Sequence, residues 1–231
     1  IIEAPLGFAR VFGHSGEVDW VKVSDNLGQT FLISSAEGLS IKPYPSCGFT
    51  HCAIDAALCI KKEHALDVAD IAEVELGVSP FDKQILIHHH PETGLEGKFS
   101  LEYCVARALL SAEVRLKHFT DEAMTEPEVP DLIAKMKWVE KYPMPVMGTP
   151  EGFGTKSVTV RLKGGREYSN EVTIAKGMPQ NPLTPDEFNA KYRDCASTVL
   201  SKGDVEKSLS ILANLEKATN IRGLVEIIAR K

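Results

Sequence analysis

The sequence lacks the motifs that mark several large classes of enzyme and binding protein. It has no phosphate-binding P-loop, no G-x-G-x-x-G fingerprint and no G-x-S-x-G nucleophile motif, so nucleotide binding and serine hydrolysis have no support. No apolar run approaches the roughly 20 residues that a membrane-spanning helix needs, and no signal-peptide pattern opens the chain. We therefore expect no membrane partner.

Positive charge is also in short supply. Lysine and arginine number 26 against 32 acidic residues, and the net charge of -6 is not offset by any long basic run. Because nucleic-acid binding needs a basic face, we expect no nucleic-acid partner. The hydrophobic content of 43% and the charged content of 25% are typical of a soluble globular protein.

Cysteine is sparse and follows no ligand pattern. Five cysteines at scattered spacings are an odd number, which is typical of reduced thiols in an intracellular protein. We expect a cytoplasmic protein, or a protein of the mitochondrial matrix if the source is eukaryotic. Cys47 and Cys52 lack a second ligand pair, and the adjacent histidines at 88–90 would point to opposite faces of an extended segment. No metal site is predicted.

The order of secondary-structure patterns indicates the domain organisation. Residues 1–38 are predicted to be helical, residues 39–177 mix helices with strands, and residues 178–231 are helical again. This order predicts an α+β protein, in which a small α+β lid domain is inserted between helical segments that belong to an all-α domain. The chain begins at Ile1 without an initiator methionine, so we expect a fragment or a processed product.

Local signals place the individual elements. Alternating apolar residues predict a strand at 72–78 and a hairpin in which Gly164–Gly165 forms a two-residue turn, and a further strand is predicted near 137–142. Thr50 is predicted to cap one helix, and Ser100 another whose apolar stripe reaches Leu116. A capping box at Thr184 opens helices predicted at 185–201, 204–215 and 220–229.

The first candidate functional stretch is residues 39–55, with the sequence LSIKPYPSCGFTHCAID. Lys42 is followed by Pro43 and Pro45, which stiffen its loop next to a helix start. A lysine so placed can bind a carboxylate, or act as a base if desolvation lowers its pKa; the alternative is a solvated surface lysine. His51 lies in the first helical turn, where the helix dipole disfavours protonation. It is either a neutral hydrogen-bond partner or part of the cap.

The second stretch is residues 91–107, with the sequence PETGLEGKFSLEYCVAR. Lys98 precedes a helix start, where free N–H groups favour anions, and Ser100, Tyr103 and Arg107 form one polar row along the helix. Alternatively, Ser100 only caps, Tyr103 only packs and Arg107 lies on the surface. We predict that the two helix starts face one small anionic molecule.

These two stretches give the chain its resemblance to a known family. The segments KPYPSCGFTHCAIDAAL (42–58) and TGLEGKFSLEYCVARALL (93–110), supported by PLGFARVFG near the start, resemble the carboxy-terminal part of the MmgE/PrpD family. That family includes 2-methylcitrate dehydratase, cis-aconitate decarboxylase and iminodisuccinate epimerase. The resemblance covers essentially all of this chain but about half of a typical member.

The resemblance implies an active site without metal or organic cofactor, in a cleft between a helical domain and the lid. It also implies a homodimer in the complete protein and a role in propionate metabolism. Lys42 and Tyr103 match catalytic positions, whereas the catalytic histidines and an aspartate belong to the amino-terminal half of the family. We therefore expect the isolated chain to be inactive. The family often has arginine where this chain has Gly48.

The function implied is a carbon–oxygen lyase of the 2-methylcitrate dehydratase type, acting on a small polycarboxylate through carbanion-like elimination. Lys42 would stabilise charge and Tyr103 would donate a proton. The expected substrate-binding residues are Ser100, His51, Lys98 and Arg107. A related decarboxylase or epimerase, or a non-catalytic carboxylate-binding or oligomerisation module, remains the alternative.

Overall fold

The computed structural model describes residues 38–146, 149 and 151–229, together with positions 7, 8, 19, 21, 22, 25, 27–29, 31 and 33. The chain forms two compact units, Ile1–Gly38 and Leu39–Lys231. The helical segment predicted for residues 1–38 lies largely outside the described residues. The assignment of that segment and of residues 178–231 to one large domain stays a prediction.

The second unit is organised around a mixed sheet. Its strands are β1 (Ile71–Val78), β2 (Met136–Glu140), β3 (Lys156–Leu162) and β4 (Glu167–Val172). They lie in the order β2-β1-β3-β4, with β1 parallel to β2 and the other two pairings antiparallel. The parallel pair needs a long crossover, and a helical segment supplies it. The α+β class is thus confirmed, whereas the inserted-lid arrangement stays a prediction.

Side-chain alternation fixes the register of the sheet. Val74, Leu76 and Val78 of β1 are buried in the core. On the other face, Glu73 contacts Arg161 at 2.6 Å and Glu75 contacts Lys141 at 2.6 Å. A shift of one residue would bury these carboxylates and expose the valines, so the pattern permits one register.

Helices cover the apolar face. They are α1 (Gly48–His64), α2 (Asp82–Ile85), α3 (Gly94–Gly97), α4 (Leu101–Ser111), α5 (Asp121–Met124) and α6 (Glu128–Ile133). Helix α1 packs on β3 and β4, α4 packs on α1, and α6 packs on α4. The small residues Ala53, Ala56 and Ala57 are fully buried on α1 and allow this close packing.

The carboxy-terminal helices are α7 (Pro185–Ala196), α8 (Lys202–Leu212) and α9 (Arg222–Ile228). The predicted capping box is confirmed: the Glu187 N–H donates to Thr184 Oγ1 at 3.3 Å, and the Thr184 N–H donates to Glu187 Oε2 at 2.8 Å. Helix α7 ends five residues earlier than predicted, and α8 packs against both of its neighbours.

Three further local predictions were wrong in detail. Helix α1 begins at Gly48, not after Thr50, because the Thr50 hydroxyl donates to the Cys47 carbonyl (2.8 Å) instead of capping. Helix α4 ends at Ser111, where Ala112 takes a left-handed conformation with φ 55°. The hairpin turn is longer than two residues: Leu162 N–H donates to the Arg166 carbonyl (2.8 Å), which leaves three residues in the loop.

We predict that Gly177→Ala strongly destabilises the fold. Gly177 has φ +89°, and an added Cβ would lie 1.9 Å from the carbonyl oxygen of Ile41. Gly165→Ala is the matched control, since Gly165 has φ +81° but open space around the Cβ position. In urea unfolding, the control should lose about 1 kcal/mol from its left-handed backbone alone. Gly177→Ala should lose about 3 kcal/mol, and equal losses would contradict the steric account.

Candidate active site

The loop before α1 is fixed at both ends by backbone hydrogen bonds. The Ile41 N–H donates to the Gly177 carbonyl at 2.8 Å, and the Cys47 N–H donates to the Lys98 carbonyl at 2.9 Å. Pro43 and Pro45 restrict the backbone between these anchors. The loop therefore presents its side chains with little conformational entropy left to lose.

Lys42 is an exposed side chain whose charge is available. Its Nζ donates to the Ser46 carbonyl at 3.2 Å, which folds the side chain back over the start of α1. Lys42 forms no ion pair with any residue that the structure describes. An available ammonium group beside a helix N-terminus, where the dipole is positive, favours an anion.

His51 lies beneath this loop and is 3% exposed. Its Nε2 is 3.4 Å from the Ser46 carbonyl, which Lys42 also contacts, and its ring meets Tyr44 edge-on at 5.2 Å. Burial lowers the pKa of His51 to about 4, and the positive charge of Lys42 contributes in the same direction. The imidazole is therefore neutral at pH 7, in agreement with the sequence expectation.

Tyr44 and Asp55 tie the loop to the second turn of α1, a link that sequence reasoning missed. The Tyr44 hydroxyl donates to Asp55 Oδ1 at 2.6 Å, and the Lys176 N–H donates to Asp55 Oδ2 at 2.7 Å. Burial raises the pKa of Asp55, and these two hydrogen bonds oppose the rise. The one signal of this link in the sequence was the position of Asp55, four residues after His51 and therefore on the same face of the helix.

The predicted polar row on α4 exists, but it is buried. Ser100 Oγ accepts from the Tyr103 N–H at 3.2 Å, which confirms the predicted cap. The Tyr103 hydroxyl accepts from Arg107 Nε at 2.8 Å and donates to the His118 carbonyl. Burial raises the pKa of Tyr103 to about 12. Both hydrogen-bonding capacities of this hydroxyl are therefore used inside the protein.

Arg107 is 2% exposed, so the alternative that placed it on the surface is wrong. Its Nη1 donates to Glu126 Oε2 at 2.6 Å, and its Nη2 donates to the Ala123 carbonyl. These bonds hold the segment from His118 to Glu126 against α4. The observed contacts of Arg107 are structural.

The two predicted stretches do meet. Lys98 is half-buried and supplies the carbonyl that accepts from Cys47. Cys104, on α4, lies against the hydroxyls of Thr50 and Ser46; burial raises the pKa of its thiol to about 12, and those hydroxyls oppose the rise. The helix starts therefore adjoin, with Lys42, His51 and Lys98 near the junction and the Tyr103–Arg107 pair directed into the core.

Within the described ranges, no group of three or more His, Cys, Asp or Glu side chains is arranged to hold a metal ion. His89, from the histidine run, instead contacts Glu102 Oε1 at 2.8 Å through Nδ1. Among the helices that the structure describes, none is long and apolar enough to span a membrane.

The structure thus has an α+β unit in which the starts of α1 and α4 adjoin beside Lys42, and comparison with known proteins identifies its family. The family model for the MmgE/PrpD C-terminal domain matches residues 44–217. The chain belongs to the MmgE/PrpD family.

Similar proteins are cis-aconitate decarboxylases. The protein of Mus musculus is 25% identical over 99% of this chain and 46% of its own length. That of Homo sapiens is 24% identical over 94% of this chain and 44% of its own length. That of Aspergillus terreus is 22% identical over 82% of this chain and 40% of its own length. The chain thus spans less than half the length of these relatives.

We predict that Tyr103→Phe destabilises the protein by about 1–3 kcal/mol, because Arg107 Nε loses a buried acceptor and the His118 carbonyl loses a buried donor. Tyr168→Phe is the control, since the Tyr168 ring stacks on His64 at 3.8 Å and its hydroxyl has no hydrogen-bond partner among the described residues. Chemical denaturation of both variants measures the difference. Equal stabilities would show that the Tyr103 hydroxyl is not structural.

His51 should make stability depend on pH. Because its folded pKa of about 4 lies below the ordinary 6.5, its contribution is present above pH 6.5 and is lost as pH falls toward 4. The free energy of unfolding of the wild type should therefore fall by about 2 kcal/mol more than that of His51→Gln between pH 7 and pH 5. Denaturation curves at these two pH values test this, and parallel losses would mean that His51 is not buried as a neutral ring.

Proposed function

We propose that this chain supplies one wall of the active site of a lyase that acts on a small polycarboxylate through a carbanion-like transition state. The observation that carries the proposal is Lys42, an available cation on a doubly anchored loop beside the start of α1. Family membership and the relatives' names favour decarboxylation of cis-aconitate. Dehydration of 2-methylcitrate, the reaction that the sequence analysis favoured, is the related alternative.

The charges fit such a reaction. Negative charge develops on a carbon beside a carboxylate in either reaction, and a preorganised cation stabilises it without reorganisation of the site. At the start of α1, the Thr50 N–H donates to the Cys47 carbonyl at 3.0 Å, whereas the N–H groups of Gly48 and Phe49 have no hydrogen-bond partner among the described residues and are proposed to bind a carboxylate. The neutral His51 adds a hydrogen-bonding group without a second positive charge to repel Lys42.

The remaining residues divide into two roles. Lys98, at the junction of the two helix starts, is proposed to bind a second carboxylate of the substrate. Ser100 caps the start of α4, and Arg107 holds the segment from His118 to Glu126 against that helix. Proton donation by Tyr103 requires its hydroxyl to leave the partners that now occupy it, so a positioning role fits its environment better.

The other parts of the catalytic machinery are proposed to come from the helical half of the relatives that lies outside this chain. In that arrangement the α+β unit acts as an inserted lid, the reaction needs no cofactor, and the complete protein is a homodimer. The isolated chain would then have no turnover. Its cytoplasmic or matrix location remains a prediction.

The engaged Tyr103 hydroxyl also favours a second candidate, a non-catalytic carboxylate-binding module. Such a module would bind polycarboxylates through Lys42 and the start of α1, but it would release neither carbon dioxide nor water from them. Product analysis of the complete protein separates the two candidates.

Lys42→Ala should lower kcat/KM for cis-aconitate by about 10²–10³ in the complete protein, because the developing charge loses its cation. The release of carbon dioxide or of water from the respective substrates measures the reaction. Lys62→Ala is the matched control, since Lys62 is an exposed lysine in the last turn of α1, at the end of the helix away from Lys42. An unchanged kcat/KM in Lys42→Ala, or an equal loss in the control, would contradict the assignment.

A further inference from the structure

An aromatic ring occupies the space over the first residue of α1. A Cβ added at Gly48 would lie 2.6 Å from Cε1 and 2.8 Å from Cζ of Phe153, so the ring can approach only because residue 48 is glycine. Phe153 meets Phe49 edge-on at 5.5 Å, and Phe49 meets Phe81 in the same way at 5.4 Å. The Phe153 ring thus packs over Gly48 and against Phe49 and forms an apolar surface at the start of α1.

A buried ion pair holds the Phe153 loop in place. Lys156 and Asp82 are both fully buried, and Lys156 Nζ lies 3.1 Å from Asp82 Oδ1. The same ammonium group donates to the carbonyls of Phe153 (3.0 Å) and Gly154 (3.2 Å). Asp82 Oδ2 accepts from the N–H and hydroxyl of Ser79, both at 2.8 Å. Lys156 therefore fixes the backbone that carries the ring.

The ring lies next to the candidate site. Gly48 precedes His51 by three residues, so the two share one face of α1. It also lies directly after the anchored loop that carries Lys42. A ligand held by Lys42 at the start of α1 would therefore meet the partly exposed Phe153 ring beside it.

We propose that Phe153 is a specificity-determining residue of this site, forming with Gly48 an apolar subsite beside Lys42 that accepts an uncharged carbon group of the ligand. The inference rests on the proposed function. A methyl or methylene group gains contact with the ring, whereas a carboxylate placed there loses its hydration without finding a partner. Lys156 and Asp82 are positioning residues, because they act through the Phe153 backbone.

The test compares two tricarboxylates that differ by one methyl group, citrate and 2-methylcitrate, by calorimetry on the complete protein. One methyl group in an apolar pocket changes affinity by about 10–200-fold, so Phe153→Ala should shift the affinity ratio at least about fivefold toward citrate. Phe153→Leu should retain most of the wild-type ratio. An unchanged ratio in Phe153→Ala would overturn the inference while leaving the proposed function intact.

If the wild type binds neither ligand, nor cis-aconitate, the proposed function fails and the inference fails with it. The Gly48–Phe153 contact has its own readout, the melting temperature. Gly48→Ala should lower it in the wild type but have no effect in a Phe153→Ala background, where the ring is gone. Equal effects in both backgrounds would contradict the contact.

Lys156→Met should shift the affinity ratio as Phe153→Ala does, whereas Lys163→Met, at an exposed lysine of the hairpin loop, should leave it unchanged. A Lys156→Met protein that folds and keeps the wild-type ratio would refute the positioning role. Because removing a buried charge partner can prevent folding, the Phe153 variants decide the subsite itself.

Discussion

The hydrogen bond from the Cys47 N–H to the Lys98 carbonyl joins the loop before α1 to the segment before α4, and the candidate site depends on this join. The Ile41–Gly177 hydrogen bond fixes the other end of the loop. With two prolines between these anchors, the loop places Lys42 over the start of α1 before any ligand arrives. Preorganisation of this kind lowers the entropy cost of binding.

Charge at the junction is distributed unequally among the basic residues. Arg107 is buried and satisfied by Glu126, Tyr103 and the Ala123 carbonyl, so its charge serves the fold. Lys42 is exposed and forms no ion pair within the part of the chain that the structure describes. His51 stays neutral beneath it. The exposed Lys42 ammonium group is therefore available to a ligand, whereas the charge of Arg107 supports the structure.

Features set by local chemistry could be predicted from the sequence. The strand alternation from Glu73 to Val78, the Ser100 cap and the Thr184 capping box depend on neighbours a few residues away, and the structure has all three. Ala72 departs from the predicted alternation: it is exposed, at an irregularity in the pairing between Ile71 and Glu73. The start of α1 was missed because the Thr50 hydroxyl bonds to a carbonyl rather than capping, which local preference does not distinguish. The family was evident from two long motifs and is confirmed by the family model.

Features set by distant partners were not predictable. The hydrogen bonds of Tyr103 depend on His118 and those of Arg107 on Ala123. The role of Asp55 depends on Lys176, and the position of Phe153 on the Lys156–Asp82 pair. Gly48 illustrates the difference. The sequence shows only that glycine stands where the family often has arginine. The structure shows that the absence of a Cβ at this position lets the Phe153 ring approach the start of α1.

The most direct measurement is a crystal structure of the complete protein with bound tricarballylate, a saturated tricarboxylate that lacks both the double bond and the hydroxyl of the candidate substrates. We expect one carboxylate of the ligand within hydrogen-bonding distance of Lys42 Nζ and of N–H groups in the first turn of α1. A ligand bound elsewhere, with Lys42 still contacting only the Ser46 carbonyl, would contradict the central claim that Lys42 and the start of α1 form the anion-binding wall.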